Sequence, residues 1–404
     1  MSVDEGATTG AQAHSREPNQ ITQEKDARDS DSLRAPTRFC DGSPGQHVDV
    51  LLICHHDQSD NGGDWARVRK MEKLFSMSNK SHVTIGFRGS FSTTPRGLLL
   101  AKSVSWLRAL IGSIIRRKPD WVYVYNTTYV MVLLSLLKSL RLIRCKLVHD
   151  TLLTHELHIC PSYISRFRKR LRRSLEALAV RKADWIFTPS NLSKRYFAKF
   201  NSNISSMPGP VDTEMFRPNL AVRLAIRERL GLTNYRVAGM VGPFDTFYNQ
   251  SNLRWLSEHV DELSPAVKWL LIGRPSRHSL RSHPHILQIG EVDDYVGHLS
   301  AIDAFVIVRD DLTDGISNRI LEAMSMGVPV FSNQAACWTE KSIIGSDSGL
   351  VVYEEDQLAV GINLVINDEN RCVSIGANAR KTAERYSLEA QIGEISRMLE
   401  SGRR

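Results

Sequence analysis

The chain has 404 residues, of which 42% are hydrophobic and 24% are charged, and its formal net charge is +8. This composition excludes a wholly disordered or membrane-spanning chain, and the length exceeds one ordinary core, so two domains of about 150 to 200 residues are expected. The positive charge favours an anionic partner without identifying it. Six cysteines lie without the close pairing of zinc sites or disulfide frameworks, which favours reduced thiols in a cytoplasmic protein.

Residues 1–46 lack hydrophobic periodicity and are rich in Ser, Thr, Asp, Glu, Gln and Pro, which predicts a disordered N-terminal leader. The leader has no apolar core of the secretory type, so export by that route is not expected. The apolar run MVLLSLLKSLRLI is interrupted by Lys138 and Arg141 and is too short to cross a membrane.

Short apolar runs alternate with longer helical stretches through the rest of the chain. The first series is VDVLLIC, HVTIGF, WVYVY, CKLVH and WIFTPS, and the second is RVAGMVG, KWLLIG, HILQIG, AFVIV, VPVF and GLVVY. Continuous apolar strands separated by helices are typical of parallel sheets covered on both faces. The pattern predicts an α/β protein with two doubly wound domains, whose ligand cleft lies between the carboxyl ends of the two sheets.

The turn-rich segment SSMPGPVDTEMFRPN separates the two series. We therefore expect a first domain over residues 47–210 and a second domain over residues 211–384. Residues 385–404 contain the periodic segment SLEAQIGEISRMLES, which predicts a C-terminal helix that packs back on the first domain.

The segment DGISNRILEAMSMGVPVF, residues 314–331, is the most informative in the sequence. It follows an apolar strand, and its middle part predicts a helix that ends at Gly327, with Pro329 two residues later. The first turn of such a helix has unpaired N–H groups and a partial positive charge, which suit a phosphate. Gly315, in the preceding loop, allows a phosphate to approach the backbone.

Two carboxylates flank this helix start. Glu322 lies one turn after Asn318 on the same helix face, where it can accept hydrogen bonds from a diol such as ribose. Asp314 precedes the helix and would be repelled by a diphosphate, so its expected partner is a neutral group rich in hydroxyls. Phosphate, ribose and a second sugar together describe a nucleotide sugar.

These residues resemble the E-x7-E segment of GT-B glycosyltransferases, in particular the retaining group called glycosyltransferase family 4 (group 1). The flanking segments MPGPVDTEMFRP, LLIGRPS and IGEVDDYVGHLSAIDAFVI are similar to family segments in order and spacing, over about residues 47–400. The resemblance implies the GT-B fold, with two tandem Rossmann-like domains. It also implies transfer of a sugar from a nucleotide-diphosphate sugar to a saccharide or lipid-linked acceptor in polysaccharide biosynthesis, with retention and without a metal or other cofactor.

The resemblance also implies site residues. It gives catalytic roles to His149, at the end of the fourth strand, and to Asp314. The implied donor-binding residues lie after the first strand and around the helix start of the second domain: Gly62, Gly63, Gly315, Ile316, Ser317, Asn318, Arg319 and Glu322.

The sequence departs from the family pattern in two places. Asp314 stands where the family has Glu, one methylene longer. The Arg and Lys that usually neutralise the diphosphate are replaced by Pro243 and Asn249, in VGPFDTFYNQ. We expect Arg319 and Arg274 to supply the missing charge, because a guanidinium can bind phosphate through two hydrogen bonds.

Several alternatives remain open. In the retaining reaction the leaving diphosphate takes the acceptor's proton, whereas an inverting reaction would need a base, for which Asp150, His155 and Glu156 are the candidates. A nucleotide-sugar epimerase or hydrolase on the same fold is a second enzyme class. An inactive GT-B scaffold or carbohydrate-binding protein is the alternative outside enzymes, and no nucleic-acid partner is expected.

A basic segment in the first domain concerns the acceptor. YISRFRKRLRRSLEALAVRK, residues 163–182, combines eight basic residues with apolar ones at helical spacing. Either this helix packs its apolar stripe on the first domain, or it docks on an anionic membrane together with residues 98–121. In the second case the protein would be peripheral on the inner face of the membrane, near a lipid-linked acceptor.

Overall fold

The computed structural model describes residues 47–54, 63–86, 96–151, 166–276, 283–310, 312, 314–339 and 341–401. The predicted leader, Gly62, His155 and Glu156 lie outside these residues. Within them, no helix combines the length and the apolarity needed to cross a bilayer.

The first half of the chain forms a parallel sheet with the strand order β2-β1-β3-β4-β5-β6. Its strands are β1 (Val50–Cys54), β2 (His82–Gly86), β3 (Trp121–Tyr125), β4 (Lys146–Asp150), β5 (Trp185–Thr188) and β6 (Ile204–Ser206). The connecting helices are α1 (Gly63–Met77), α2 (Arg96–Arg117), α3 (Thr128–Ser139), α4 (Arg166–Lys182) and α5 (Asn191–Phe197). The edge strand β6 was not predicted, because its three residues, ISS, include a single apolar residue and form no apolar run.

The second half forms another parallel sheet, with the order β12-β11-β10-β7-β8-β9. Its strands are β7 (Arg236–Val241), β8 (Val267–Ile272), β9 (Ile286–Gly290), β10 (Ala304–Ile307), β11 (Val330–Ser332) and β12 (Leu350–Val352). Its helices are α6 (Leu220–Arg229), α7 (Phe247–His259), α8 (Tyr295–Ser300), α9 (Asn318–Ser325), α10 (Leu358–Ile366) and α11 (Glu369–Glu384), followed by α12 (Leu388–Ser401). Short 3-10 helices lie at Val260–Glu262, Gln334–Cys337 and Lys341–Ile343. The two sheets with their flanking helices confirm the predicted α/β architecture.

The strand order of the second sheet determines where a ligand can bind. Strands β7 and β10 are neighbours, but the chain leaves them toward opposite edges of the sheet. A crevice forms at such a switch point, beyond the carboxyl ends of the strands. The turn from β7 to α7 and the loop from β10 to α9 therefore border the crevice.

Both sheets are covered on their two faces, so each half has two apolar layers. Along β4, for example, Leu147 packs in one layer and Val148 in the other, because successive side chains of a strand point to opposite faces. Helix α12 contributes Ile395 and Met398 to the layer that also holds Val148 and the α1 residue Leu74. The C-terminal helix thus packs on the first sheet.

A buried carboxylate anchors the start of the second sheet. Asp303, just before β10, accepts hydrogen bonds from Arg227 Nη1 at 3.0 Å and from the backbone N–H of Val237 at 2.7 Å. Arg223 donates a further hydrogen bond to the same carboxylate. Because a buried carboxylate is costly without such partners, the pairing links α6 to the two central strands of the sheet.

Candidate functional site

The loop before α9 packs tightly against the first half of the chain. Gly315 has φ +82, a left-handed conformation that favours glycine. A Cβ at this position would lie 2.8 Å from both the Cβ and the carbonyl oxygen of Pro189. The Gly315 N–H donates to Thr339 Oγ1 at 2.7 Å. The loop conformation and the close approach of the two halves therefore both depend on a glycine, which has no side chain, at position 315.

The first acid of the motif, Asp314, is buried and is held by serines of the first half. Ser190 donates to Asp314 Oδ1 at 2.6 Å, and Ser193 donates to Oδ2. Ser190 is the N-cap of α5 and accepts from the N–H of Ser193 at 3.1 Å. Asp314 thus faces hydroxyl groups, which is the kind of partner that the sequence predicted for it, although here they belong to the protein.

The second acid, Glu322, is 6% exposed, and both of its carboxylate oxygens have partners. Lys70 Nζ lies 3.3 Å from Oε1, and the Tyr295 hydroxyl donates to Oε2 at 3.1 Å. Burial raises the pKa of Tyr295 well above its usual value, and the charge of Glu322 adds to this, so the hydroxyl keeps its proton. The ring of Tyr295 packs edge-on against Phe216, with the centroids 6.0 Å apart.

Lys70 comes from α1 and reaches the start of α9. Its Nζ lies 3.3 Å from Asn318 Oδ1, on the first residue of α9, as well as from Glu322. Burial lowers the pKa of Lys70, and the nearby Glu322 carboxylate only partly opposes this effect. The pair therefore joins the two halves at the helix start that the sequence assigned to a phosphate.

Arg319 extends toward the turn after β7. Its Nη1 donates to Asn249 Oδ1 at 3.2 Å and lies 2.8 Å from where a Cβ on Gly242 would be. Asn249 is buried and donates in turn to the carbonyl oxygen of Pro243 at 3.0 Å. Arg319 thus brings a guanidinium to the turn where Pro243 and Asn249 replace cations.

Arg274 contacts the turn after β7 through a carboxylate. Its side chain is 52% exposed; its Nε donates to Asp245 Oδ2 at 2.8 Å, and its Nη1 lies 3.9 Å from Glu291. Arg274 thus borders the same turn as Arg319, with its guanidinium beside carboxylates, and its role as a phosphate ligand stays a prediction.

His149 lies near the end of β4 and is 1% exposed. Its register partners, Val124 and Ile186, belong to one apolar layer, and within the described residues neither ring nitrogen makes a hydrogen bond. Burial lowers the pKa of His149 to about 4, partly opposed by the charge of Asp150. The imidazole is therefore neutral at neutral pH.

Asp150, a candidate base, points to the opposite face and is engaged in a buried ion pair. Arg67 of α1 donates to both of its oxygens, from Nε at 2.7 Å and from Nη2 at 2.9 Å, and Tyr123 donates to Oδ2. Burial alone would lower the pKa of Arg67, but the Asp150 carboxylate raises it overall. With both oxygens occupied, Asp150 is a structural partner of Arg67 and is not placed as a free base.

The remaining candidates frame the same region. Gly63 begins α1, and Ile316 is buried in an apolar layer of the second half. Ser317 is the N-cap of α9, although its side chain does not cap the helix. The sequence reasoning missed Arg67, Lys70, Tyr295 and the two serines that hold Asp314. A signal existed for the cations, because Arg67, Lys70 and Lys73 recur every three residues and so share one face of α1.

Two family profiles match the chain. The one described as Glycosyltransferase Family 4 matches residues 38–215, and the one described as Glycosyl transferases group 1 matches residues 235–368. None of the curated protein sequences matches.

Solved structures share the fold at low sequence identity. Sucrose-phosphate synthase from Thermosynechococcus elongatus has a TM-score of 0.68 and 16% identity, over 87% of this chain and 98% of its own. HepE from Anabaena, solved in complex with UDP and glucose, has a TM-score of 0.65 and 18% identity, over 88% of this chain and 100% of its own. WaaG, a glycosyltransferase involved in lipopolysaccharide biosynthesis, has a TM-score of 0.61 and 13% identity, over 86% of this chain and 99% of its own. These likenesses confirm the predicted fold.

Proposed function

We propose a specific reaction on the premise that the chain is a GT-B glycosyltransferase of the family 4 type. The protein moves a sugar from a nucleotide-diphosphate sugar to a saccharide or lipid-linked acceptor. One observation carries the proposal: the buried Glu322 and the start of α9 lie together beside the switch point of the second sheet, and Lys70 of the first half meets them there. HepE, which shares the fold, was solved with UDP and with UDP-glucose, which supports a nucleotide sugar as the donor.

Each group at the site has a role in this proposal. The Glu322 carboxylate accepts hydrogen bonds from the ribose diol, and the first N–H groups of α9 bind the diphosphate. Arg319 adds positive charge at the neighbouring turn. Asp314 exchanges its serine partners for hydroxyls of the donor sugar, since these are the same kind of donor group.

We propose that the reaction retains the anomeric configuration and needs no metal ion. Charge builds up on the diphosphate as the glycosidic bond breaks, and fixed N–H groups and guanidinium groups stabilise it. The departing phosphate oxygen then takes the proton of the acceptor hydroxyl. His149, neutral because burial lowers its pKa to about 4, is proposed to bind a hydroxyl of the donor. NMR of the product anomer tests retention, and an unchanged rate in EDTA tests metal independence.

The donor proposal is tested by calorimetry with UDP, GDP, ADP and dTDP. At least one should bind, and Glu322→Gln should weaken that binding by about tenfold, the typical value of a charge-assisted hydrogen bond. Glu369→Gln is the matched control, because the side chain of Glu369 is 74% exposed and forms an ion pair with Arg236. Failure of all four diphosphates to bind would overturn the proposal in favour of an inactive scaffold.

Transfer itself is tested with the matching radiolabelled nucleotide sugars. Labelled product should form only when an acceptor, such as a lipid extract or an oligosaccharide mixture, is added. Conversion of the donor in the absence of any acceptor would instead indicate an epimerase or hydrolase.

We also propose that an anionic membrane holds the acceptor. The predicted stripe on α4 is not packed away, since Leu171 is 48% and Leu178 is 40% exposed. On the neighbouring helix α3, Leu136 is 55% exposed, and Leu140, directly after this helix, is 61% exposed. Apolar side chains beside the basic residues of α4 have the chemistry of a surface that binds anionic lipid.

Vesicle flotation tests the membrane proposal. The protein should float with vesicles that contain phosphatidylglycerol and not with neutral ones, and Leu171→Gln with Leu178→Gln should reduce the bound fraction. Leu220→Gln with Leu224→Gln is the control, because these leucines are also exposed but lie on α6 in the second half. Equal flotation of the two double variants would count against α4 as the docking surface.

A further inference from the structure

Two buried cations of α1 lie against the start of α9. Lys70 is 8% exposed and Arg67 is 2% exposed, and they lie one helical turn apart on the same face of α1. Lys70 Nζ lies 3.3 Å from Asn318 Oδ1 and 3.3 Å from Glu322 Oε1. The first half of the chain thus brings positive charge to a helix N-terminus in the second half.

Two of the three guanidinium nitrogens of Arg67 donate hydrogen bonds within the described residues, and the third, Nη1, does not. Its Nε and Nη2 donate to Asp150, and Nη2 also donates to the carbonyl oxygen of Met207 at 3.1 Å. Its Nη1 is buried and has no hydrogen-bond partner in the part of the chain that the structure describes. A Cβ on Gly209 would lie 4.0 Å from this nitrogen and 2.4 Å from Asn318 Oδ1. The unpaired nitrogen therefore faces the neighbourhood of Gly209 and the first residue of α9.

Unpaired buried donors are costly, and a guanidinium nitrogen selects an anion. Glu322 is 6% exposed and its oxygens are covered by Lys70 and Tyr295, so a diol can reach this carboxylate only if one of these two side chains moves aside. Tyr295 belongs to the same half as Glu322, and its ring is packed against Phe216. Lys70 reaches in from the other half on a flexible stem, so it is the partner that can leave.

A displaced ammonium needs another anion close by, since burial already lowers the pKa of Lys70. We propose that Lys70 is a donor-binding residue that exchanges partners: it holds Glu322 in the ligand-free protein and the diphosphate in the donor complex, with Arg67 Nη1 as the second cation. This inference rests on the proposed function. It also predicts a difference between two ligands. A nucleoside without phosphates competes with Lys70 for the Glu322 carboxylate, whereas a nucleoside diphosphate offers Lys70 a second anion and so releases Glu322.

The variant test compares the binding of uridine with that of UDP by calorimetry. The pair guanosine and GDP and the pair adenosine and ADP are measured in parallel. Lys70→Met should weaken UDP binding by about tenfold or more and should leave uridine binding unchanged or tighter, because Glu322 is then free. Lys70→Arg keeps the charge and should retain most of the preference for UDP. Lys73→Met is the matched control: Lys73 lies on the same helix and also pairs with the second half, through Asp212, but is 47% exposed, and the ratio of the two affinities should not change.

A second test uses the unmodified protein and does not depend on a variant that folds. Pyrophosphate should draw Lys70 away from Glu322, so saturating pyrophosphate should tighten uridine binding by about fivefold or more. Independent or competing binding of the two fragments would overturn the proposal, as would equal losses of uridine and UDP affinity in Lys70→Met. Should the wild-type protein bind no nucleoside diphosphate at all, the proposed function itself fails; loss of only the Lys70 effects would leave that function standing.

Discussion

His149 gives the stability of the first half a defined pH dependence. Burial lowers its pKa from the ordinary value of 6.5 to about 4 in the folded chain. Below about pH 6.5 the unfolded chain therefore binds a proton that the folded chain excludes until the pH approaches 4. The stability that the folded chain has with a neutral His149 is therefore fully present above pH 6.5 and is lost as the pH falls toward 4.

The magnitude follows from the two pKa values. The full difference between 6.5 and about 4 corresponds to about 3 kcal/mol of unfolding free energy. By pH 5, about 2 kcal/mol of it should already be lost relative to pH 7.5. His149→Leu, which removes the titrating group from an apolar layer, should remove this part of the pH dependence.

The assay is urea unfolding at pH 7.5 and pH 5, followed by hydrogen exchange of peptides from β3 to β5 so that the first half is observed separately. The loss of stability on acidification should be about 2 kcal/mol smaller in His149→Leu than in the wild type. The control is His47→Leu, because the side chain of His47 is 57% exposed. Identical pH dependence in the wild type and His149→Leu would refute the reasoning, since it would mean that the imidazole is not desolvated in the folded chain.

Three further predictions concern buried pairs and the contact between the halves. Arg67→Met leaves the buried Asp150 without its charge partner and should cost about 3 to 5 kcal/mol in chemical unfolding; a loss below about 1 kcal/mol would mean that the pair is solvated. Gly315→Ala, at φ +82 and 2.8 Å from Pro189, should separate the two halves, so small-angle scattering should give a larger radius of gyration, and an unchanged radius would contradict the close packing. Asp303→Ala should lower unfolding free energy by about 3 kcal/mol or more, because two arginines lose their shared carboxylate; a folded variant should keep its affinity for nucleoside diphosphates, and a selective loss of that affinity would place Asp303 in the site.

Local sequence was sufficient for the elements that border the site. The apolar run AFVIV predicted β10, and Gly327 with Pro329 predicted the end of the following helix, which the structure ends at Ser325. Glu322 was assigned to the cleft because its position on the helix follows from helical spacing alone. In contrast, β6 was missed, since three residues with a single apolar one form no recognisable run, and they are a strand only by pairing with β5.

The partners of the charged groups were not accessible in the same way. Asp150 was expected as a possible base, and it is instead an ion pair with Arg67, 83 positions away in the chain. Arg274 and Arg319 had equal standing as phosphate ligands in the sequence, and in the structure both border the turn after β7 but have different partners: Arg319 donates to Asn249, and Arg274 donates to the Asp245 carboxylate. Neither result follows from residue type or spacing.

The sequence by itself determined most of the segments that form strands and helices, and hence a parallel sheet in each half with a helix start at a switch point, because hydrophobic periodicity and turn residues act over a few neighbouring positions. Only the tertiary structure decided that Lys70 meets Glu322, 252 positions away, and that Ser190 meets Asp314, 124 positions away. Such pairs form because the folded sheets bring distant helix ends within a few ångströms of each other, and the free energy of each contact depends on the burial that this packing creates.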